Sequence, residues 1–146
     1  MKPILLAYVH SNAATKIDKA IRKSIRDNRV SVLAMGLNLV KIKEKGLYLG
    51  LNCNNISQYV KKLCDDTKMN RSSILNWLNI GKAYMKYKSG LEKIGFDDRD
   101  GPTKLLYIER ALKTKQRQEV FTNIKKMSVR EFKTWVTVTG KKGLNV

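Results

Sequence analysis

The sequence has few of the residues from which metal sites and disulfide frameworks are built. It contains two cysteines, Cys53 and Cys64, and one histidine, His10. A structural zinc site needs four cysteine or histidine ligands at short spacings, and these three residues do not supply them. Two cysteines in a lysine-rich chain are typical of a reducing compartment, where both stay thiols. We therefore expect no metal, no other cofactor and a cytoplasmic location.

Acidic residues and long apolar runs are also scarce. The chain has 12 Asp and Glu against 30 Lys and Arg, a net charge of +18. Basic residues outnumber acidic ones 10 to 3 in residues 1–50, 9 to 6 in 51–100 and 11 to 3 in 101–146, so the excess is not one basic tail. The apolar run ILLAYV near the N terminus is too short for a signal peptide or a membrane span. Such a charge usually indicates a polyanionic partner, with nucleic acid the first choice and an anionic membrane surface or an acidic protein as alternatives.

Apolar residues recur at helical spacing along most of the chain, and no segment alternates strongly enough to predict a strand. In the first half we expect an arm over residues 1–14, a basic helix after it, and a helix over about 30–45 that ends at Gly46. GLYLGLN is expected to be an ordered loop. The clearest helix begins after Asn54 or Asn55, either of which can cap it, and ends near Thr67. The apolar face of the 30–45 helix is predicted to be Leu33, Ala34, Leu37 and Val40, and that of the clearest helix Ile56, Tyr59, Val60, Leu63 and Cys64.

In the second half, start and stop signals place three more helices. Pro102 fits the first position of a helix that carries Leu105 to Leu112. Another helix spans roughly Gln116 to Lys126. Ser128 and Glu131 form an S-x-x-E capping box for a last helix that stops near Gly140. Trp77 and Trp135 are expected in the core.

A helix-turn-helix pattern runs through CDDTKMNRSSILNWL, residues 64–78. Such a unit needs a small residue where the second helix crosses the first, an apolar plug in the turn and apolar residues facing back. With Ile74 facing inward, Cys64 takes the small position, Met69 is the plug, and Trp77 and Leu78 face back. We therefore predict an all-α multi-helix bundle of about 6–8 helices that contains a helix-turn-helix. The plainer alternative is a capped helix that follows another helix.

The polar residues of this pattern that do not face inward lie at the start of its second helix, which is expected to be exposed. Unpaired N–H groups and the positive end of the helix dipole favour phosphate there. Arg71 can reach a guanine edge or a phosphate, and Asn76 can pair with adenine. At the turn position often filled by glycine the chain has Lys68, which carries a steric cost if the backbone is left-handed. The predicted DNA-binding residues are Lys68, Asn70, Arg71, Ser72, Ser73, Asn76 and Lys82, and the predicted backbone contacts are Lys61, Lys104, Arg110 and Lys113.

From about Val30 to Val138, roughly three quarters of its length, the chain resembles the DNA-binding domain of the ParB family of partition proteins. The family signature reads roughly K-S-R-S-x-V-x-N-L-L, and an S-V-R-E-type segment opens a late helix. The second segment corresponds to MSVREFKTW, residues 127–135. The resemblance implies a helix leading into a helix-turn-helix, several further helices, and DNA contacts by the matching Arg, Ser and Asn. In MNRSSILNWL, residues 69–78, the matching residues are Arg71, Ser72, Ile74, Asn76 and Leu78.

The chain departs from the family within the signature and lacks two further family segments. Asn70 replaces the first serine of the signature. No arginine-rich G-E-R-R-type segment and no separate C-terminal dimerisation domain are seen, so nucleotide switching, loading and sliding are not implied. The composition, rich in Lys, Asn and Ile, fits plasmid-maintenance members from AT-rich genomes.

We therefore predict a non-enzymatic protein that binds double-stranded DNA in plasmid partition or transcriptional repression. Self-association on DNA is expected to add specificity, since one helix-turn-helix reads only a few base pairs. The expected location is the cytoplasm, with the nucleoid or a plasmid, and no membrane partner is expected. The predicted division is a basic arm or helix over 1–28, a ParB-like domain over 29–140 and a tail over 141–146.

Three other functions stay open. A helical RNA or single-strand-binding module would need Tyr84 and Tyr87 exposed for stacking. An adaptor that binds an acidic protein would have no affinity for duplex DNA. A Mg²⁺-dependent nuclease would need Asp97, Asp98 and Asp100 to converge with another acid such as Glu92, although aspartates before Gly and Pro usually serve turns and caps.

Overall fold

The computed structural model describes the backbone of residues 2–145 and the side chains of residues 12–138. Within these ranges the chain is all-helical and contains no strand, so the predicted all-α bundle is confirmed. None of the helices described there is long and apolar enough to cross a membrane. The α-helices are α1 Lys2–Arg26, α2 Val32–Glu44, α3 Ile56–Thr67, α4 Arg71–Lys86, α5 Lys88–Lys93, α6 Ile108–Thr114, α7 Arg117–Lys126 and α8 Val129–Asn145, and the 3₁₀-helices are Leu47–Leu51, Asp98–Asp100 and Pro102–Leu106.

The chain divides into two compact units, Met1–Gly81 and Lys82–Val146. The first has 14 basic and 5 acidic residues and the second 16 and 7, so each unit carries a net charge of +9. Each unit also buries its own apolar residues. The first unit buries Ala14, Ile21, Met35, Leu39, Val40, Ile42, Leu47, Cys53, Tyr59, Val60, Leu63, Ile74 and Leu78, and the second Leu91, Phe96, Leu105, Ile108, Ala111, Val120, Phe121, Ile124, Phe132 and Val136.

Helix α1 is longer than its sequence pattern indicates. It begins at Lys2, so the arm predicted for residues 1–14 was wrong. That stretch has no glycine, and its one proline, Pro3, lies in the first turn, where a missing N–H costs little. Ala14 and Ile21 are fully buried, which makes α1 part of the core of the first unit.

Helix α2 was predicted in the right place, and two of the four residues of its predicted apolar face, Leu33 and Val40, are buried. Ala34 is exposed and Leu37 is half-buried. Apolar residues fill almost every position from 32 to 37, so periodicity does not select one face there. Gly46 follows the helix with φ 63°, as expected for a helix end, and GLYLGLN forms the 3₁₀-helix Leu47–Leu51. The residues that α2 buries are Leu33, Met35, Gly36, Leu39, Val40 and Ile42.

In the second unit the predicted capping box is present, but two predicted helices have different bounds in the structure. Pro102 begins a 3₁₀-helix and α6 begins only at Ile108, so one predicted helix is two elements. The Ser128 amide donates to Glu131 Oε1 at 2.9 Å, and the Glu131 amide donates to Ser128 Oγ at 3.1 Å, so the capping box is present. Helix α8 runs past Gly140 and Gly143, because each glycine costs a helix only about 1 kcal/mol.

Candidate nucleic-acid interface

Helices α3 and α4 are joined by a turn of three residues, Lys68–Asn70. Asn55 caps α3, since its side-chain oxygen accepts the Gln58 N–H at 2.8 Å. Gln58 Oε1 in turn accepts the Asn54 N–H at 2.7 Å. Both helices therefore begin and end where the caps and periodicity of the sequence predict them.

Lys68 has a left-handed backbone, with φ 63° and ψ 19°. Its N–H donates to the Cys64 carbonyl at 2.8 Å, which closes the end of α3. The turn thus has the conformation for which glycine is the usual residue, and Lys68 adopts it at a steric cost. The sequence identified this position correctly.

The residues of the helix-turn-helix that were predicted to face inward do face the core. Ile74 is fully buried and Leu78 is buried, whereas Cys64, Met69 and Trp77 are half-buried against the same core. The expectation that Trp77 is a full core residue is therefore only partly met. Desolvation raises the pKa of the Cys64 thiol, which fits a small packing residue rather than a reactive one.

The polar residues predicted to face outward are accessible at the start of α4. Asn70 Oδ1 accepts hydrogen bonds from the Ser72 amide and hydroxyl, both at 3.0 Å, so Asn70 caps the helix. The Arg71 guanidinium donates to Ser57 Oγ at 3.2 Å and so lies against the first turn of α3. Ser73 is half-buried. The other residues of the helix-turn-helix that were predicted to contact bases or phosphates are exposed: Lys68, Asn70, Arg71, Ser72 and Asn76.

A glycine-to-glycine contact holds α4 against α2. A Cβ atom added to Gly36 would lie 2.6 Å from the Trp77 carbonyl oxygen, and one added to Gly81 would lie 2.2 Å from the Gly36 carbonyl oxygen. The two helix backbones therefore touch, which only glycine permits at these positions. Sequence reasoning missed this contact. The signal available was a glycine within the apolar run of α2 and another eight residues after Ser73.

A polar network that runs from buried Tyr59 to exposed Asp66 fixes α3 against α1. The Tyr59 hydroxyl donates to Asp18 Oδ1 at 2.7 Å, and Tyr59 is fully buried. Arg22 donates to Asp18 at 2.9 Å and to Asp66 at 2.9 Å. Burial, and then the bond to Asp18, raise the pKa of Tyr59, so the phenol stays protonated and keeps its bond to the carboxylate. Since Asp66 lies at the negative end of the α3 dipole, Arg22 also offsets an unfavourable charge there.

The outer basic residues divide into accessible and buried ones. Lys61, Lys82, Arg110 and Lys113 are exposed, as a DNA-backbone contact requires. Lys104 is only 2% exposed, and its Nζ donates to the Ile124 carbonyl at 2.8 Å, so its predicted role in backbone contact was wrong. This carbonyl belongs to the last turn of α7, where a cation satisfies an oxygen that has no partner within the helix. Burial lowers the pKa of Lys104.

In the acidic cluster after α5, Asp97 and Asp100 form hydrogen bonds that stabilise a turn. Asp97 accepts the Arg99 amide and guanidinium, at 2.9 and 2.7 Å, and these bonds lower the pKa of Asp97 to about 2. Asp100 accepts the Asp97 amide and Lys125, both at 2.9 Å. Among the described residues, no group of three His, Cys, Asp or Glu side chains is placed to hold a metal.

The aromatic residues considered for base stacking, and the tryptophan expected in the core of the second unit, are all partly exposed. Tyr84 and Tyr87 are half-buried, and Lys86 Nζ lies 5.5 Å from the centroid of the Tyr87 ring. Trp135, expected in the core, is also half-buried, with Lys115 Nζ 5.3 Å from its ring centroid. Their partial burial makes these rings less available for base stacking than exposed rings would be.

No protein-family model, curated protein or solved structure matches this chain. The function is therefore argued from the geometry of α3, the turn and α4 and from the distribution of charge.

Proposed function

We propose that this chain binds duplex DNA through α3, the turn Lys68–Asn70 and α4, acting as a helix-turn-helix of the ParB type. The observation that carries the proposal is the left-handed Lys68 in a three-residue turn, with Ile74 buried beyond it. Left-handed residues also end many ordinary helices, so the proposal depends on the short turn and the inward-facing Ile74 together with the exposed polar residues that follow the turn. The exposed start of α4 then has the position of a recognition helix.

In this proposal the first turns of α4 enter the major groove. Arg71 exchanges its single bond to Ser57 for a charged bond to a guanine edge or a phosphate. Asn76, one and a half turns further along α4, pairs with adenine, and the short side chains of Ser72 and Ser73 allow a close approach. Lys68 and the capped N terminus at Asn70 hold phosphates.

The charge of both units supports the same partner. Each carries +9, and counterion release on contact with phosphates supplies sequence-independent affinity. Lys61, Lys82, Arg110 and Lys113 are exposed and fit this positioning role. Plasmid partition and operator occupancy in transcriptional repression use the same chemistry, and either places the protein on DNA in the cytoplasm.

The alternatives draw less support from the structure. Tyr84 and Tyr87 are half-buried, whereas single-strand binding relies on exposed aromatic rings. Of the aspartates considered for a nuclease, Asp97 is bonded to Arg99, and Asp100 to Lys125 and the Asp97 amide.

Fluorescence anisotropy tests the proposal with a duplex of about 30 base pairs from the protein's own genetic locus and a scrambled duplex of equal composition. Arg71→Ala should weaken binding to the native duplex by about 1–3 kcal/mol, or roughly 5- to 150-fold, and remove the preference over scrambled DNA. Arg29→Ala, which removes an exposed arginine from the same unit, should keep that preference. Equal binding of both duplexes with no specific effect of Arg71→Ala would contradict the proposal.

A further inference from the structure

The second unit contains an apolar cleft with a basic rim, which the proposed DNA contact does not use. Its volume is about 640 Å³. Ile94 and Phe121 supply its apolar lining, while Lys93 and Arg117 are the charged residues at its edge. No acidic residue lines it. The lining residues are Gly90, Lys93, Ile94, Arg117, Gln118, Phe121 and Thr122.

The floor of the cleft is closed against base stacking. Phe121 is only 7% exposed. A Cβ atom on Gly90 would lie 2.7 Å from the Phe121 ring, so the ring packs directly on the backbone of α5. The Arg117 guanidinium lies 4.9 Å from the ring centroid and covers it from another side. A nucleobase would therefore find no open aromatic face here.

The chemistry of the rim selects for negative charge beside an apolar group. A guanidinium stacked on a ring still presents N–H donors along its edge, and these match a carboxylate in a bidentate pair. Lys93 adds a second cation and is exposed. Duplex DNA could satisfy the cations but would leave the apolar floor uncovered, because its accessible backbone is polar. A peptide can satisfy both, since one side chain fills the floor while its neighbours pair with the rim.

We propose that this cleft is a docking site for an acidic peptide segment that carries one large apolar side chain. The apolar side chain packs mainly on the half-buried Ile94 and on the small part of Phe121 that stays exposed, and flanking carboxylates pair with Lys93 and Arg117. The charge complementarity of the rim fixes the sign of the partner and speeds its encounter, and the floor supplies the apolar contact. The site stands independently of the proposed DNA-binding function.

The test uses the fluorescein-labelled peptide EELFEE and its equally charged counterpart EESSEE, measured by anisotropy against the full chain. The wild type should bind EELFEE at least tenfold more tightly than EESSEE. Lys93→Gln combined with Arg117→Gln should remove most of the EELFEE affinity. Lys126→Gln combined with Arg130→Gln removes the same charge from exposed positions of the same unit that do not line the cleft, and should change affinity less than twofold.

A variant that fills the cleft without changing its charge distinguishes the apolar contribution to peptide affinity from the contribution of the charged rim. Thr122→Trp, at an exposed lining residue, should make the chain bind EELFEE as weakly as EESSEE. Equal binding of both peptides by the wild type, or equal losses from the two double variants, would overturn the proposal and leave only general attraction to a basic protein. An oligothymidylate of the same charge that binds more tightly than EELFEE and depends on Lys93 and Arg117 would overturn it in favour of single-stranded nucleic acid.

Discussion

At the scale of the residue, Lys68 combines two effects that oppose each other. Its left-handed backbone costs an ordinary residue about 1 kcal/mol, while its exposed ammonium is placed at the start of the proposed recognition helix. A residue held in a strained conformation at a proposed binding surface is consistent with selection for its side chain rather than for stability. The two effects are separable by substitution.

Lys68→Gly should raise the free energy of unfolding by about 0.5–1 kcal/mol, because glycine adopts φ 63° without a steric cost but loses more backbone entropy on folding. Urea denaturation measures this change. Lys68→Ala keeps the strain and removes the ammonium, so it should not stabilise the protein. Both variants should weaken duplex binding by the same factor. A glycine variant that is no more stable than the alanine variant would show that the turn is not strained.

At the scale of the element, the sequence predicted α3 and α4 because caps and periodicity agree there. Asn55 and Asn70 cap the two helices, and Ile74 faces inward as the pattern requires. In α2 the apolar residues are continuous, so the sequence predicted only part of the buried face: Leu33 and Val40 are buried, whereas Ala34 is exposed. The contact of Gly36 with Gly81 depends on tertiary packing that no local pattern encodes.

Gly36→Ala should lower the free energy of unfolding by about 1–3 kcal/mol, because the added methyl group meets the backbone of α4, which cannot move aside as a side chain can. The gain in helix propensity is smaller than this clash. The same variant should weaken duplex binding, since it displaces the helix that carries Arg71. Thermal and urea unfolding measure the first effect and anisotropy the second.

Ala34→Ser is the matched control for that variant, because Ala34 lies on the exposed side of the same helix. It should change stability by no more than about 0.5 kcal/mol. If Gly36→Ala were as stable as the control, the close approach of α2 and α4 would not hold in solution.

At the scale of the whole molecule, composition predicted the kind of partner but not which cations reach it. Both units carry a net charge of +9. The Lys104 ammonium, however, is bonded to the Ile124 carbonyl at the end of α7 inside the second unit. Nothing in the sequence distinguishes the buried Lys104 from the exposed Arg110 and Lys113, so only the fold separates them. Counting basic residues therefore overstates the charge available to DNA.

The dependence of duplex affinity on salt should separate these two classes of lysine. Lys113→Gln should reduce the magnitude of the slope of log K against log salt by about 0.9 if Lys113 contacts one phosphate. Lys104→Met should leave the slope unchanged, because the Lys104 amine is buried and bonded to Ile124. Anisotropy from about 50 to 200 mM salt measures both slopes. A loss of slope with Lys104→Met in a folded variant would contradict the burial of this residue.

The central claim is that the exposed start of α4 contacts duplex DNA, and amide chemical-shift mapping of the ¹⁵N-labelled chain tests it most directly. On titration with the native-locus duplex at moderate salt, we expect the largest shifts at residues 68–76 and at the first turn of α3, where Ser57 meets Arg71. Lesser shifts should occur near the exposed lysines. Shifts confined to α1 and the second unit, with residues 68–76 unmoved, would show that α4 is an ordinary capped helix and that another surface binds DNA.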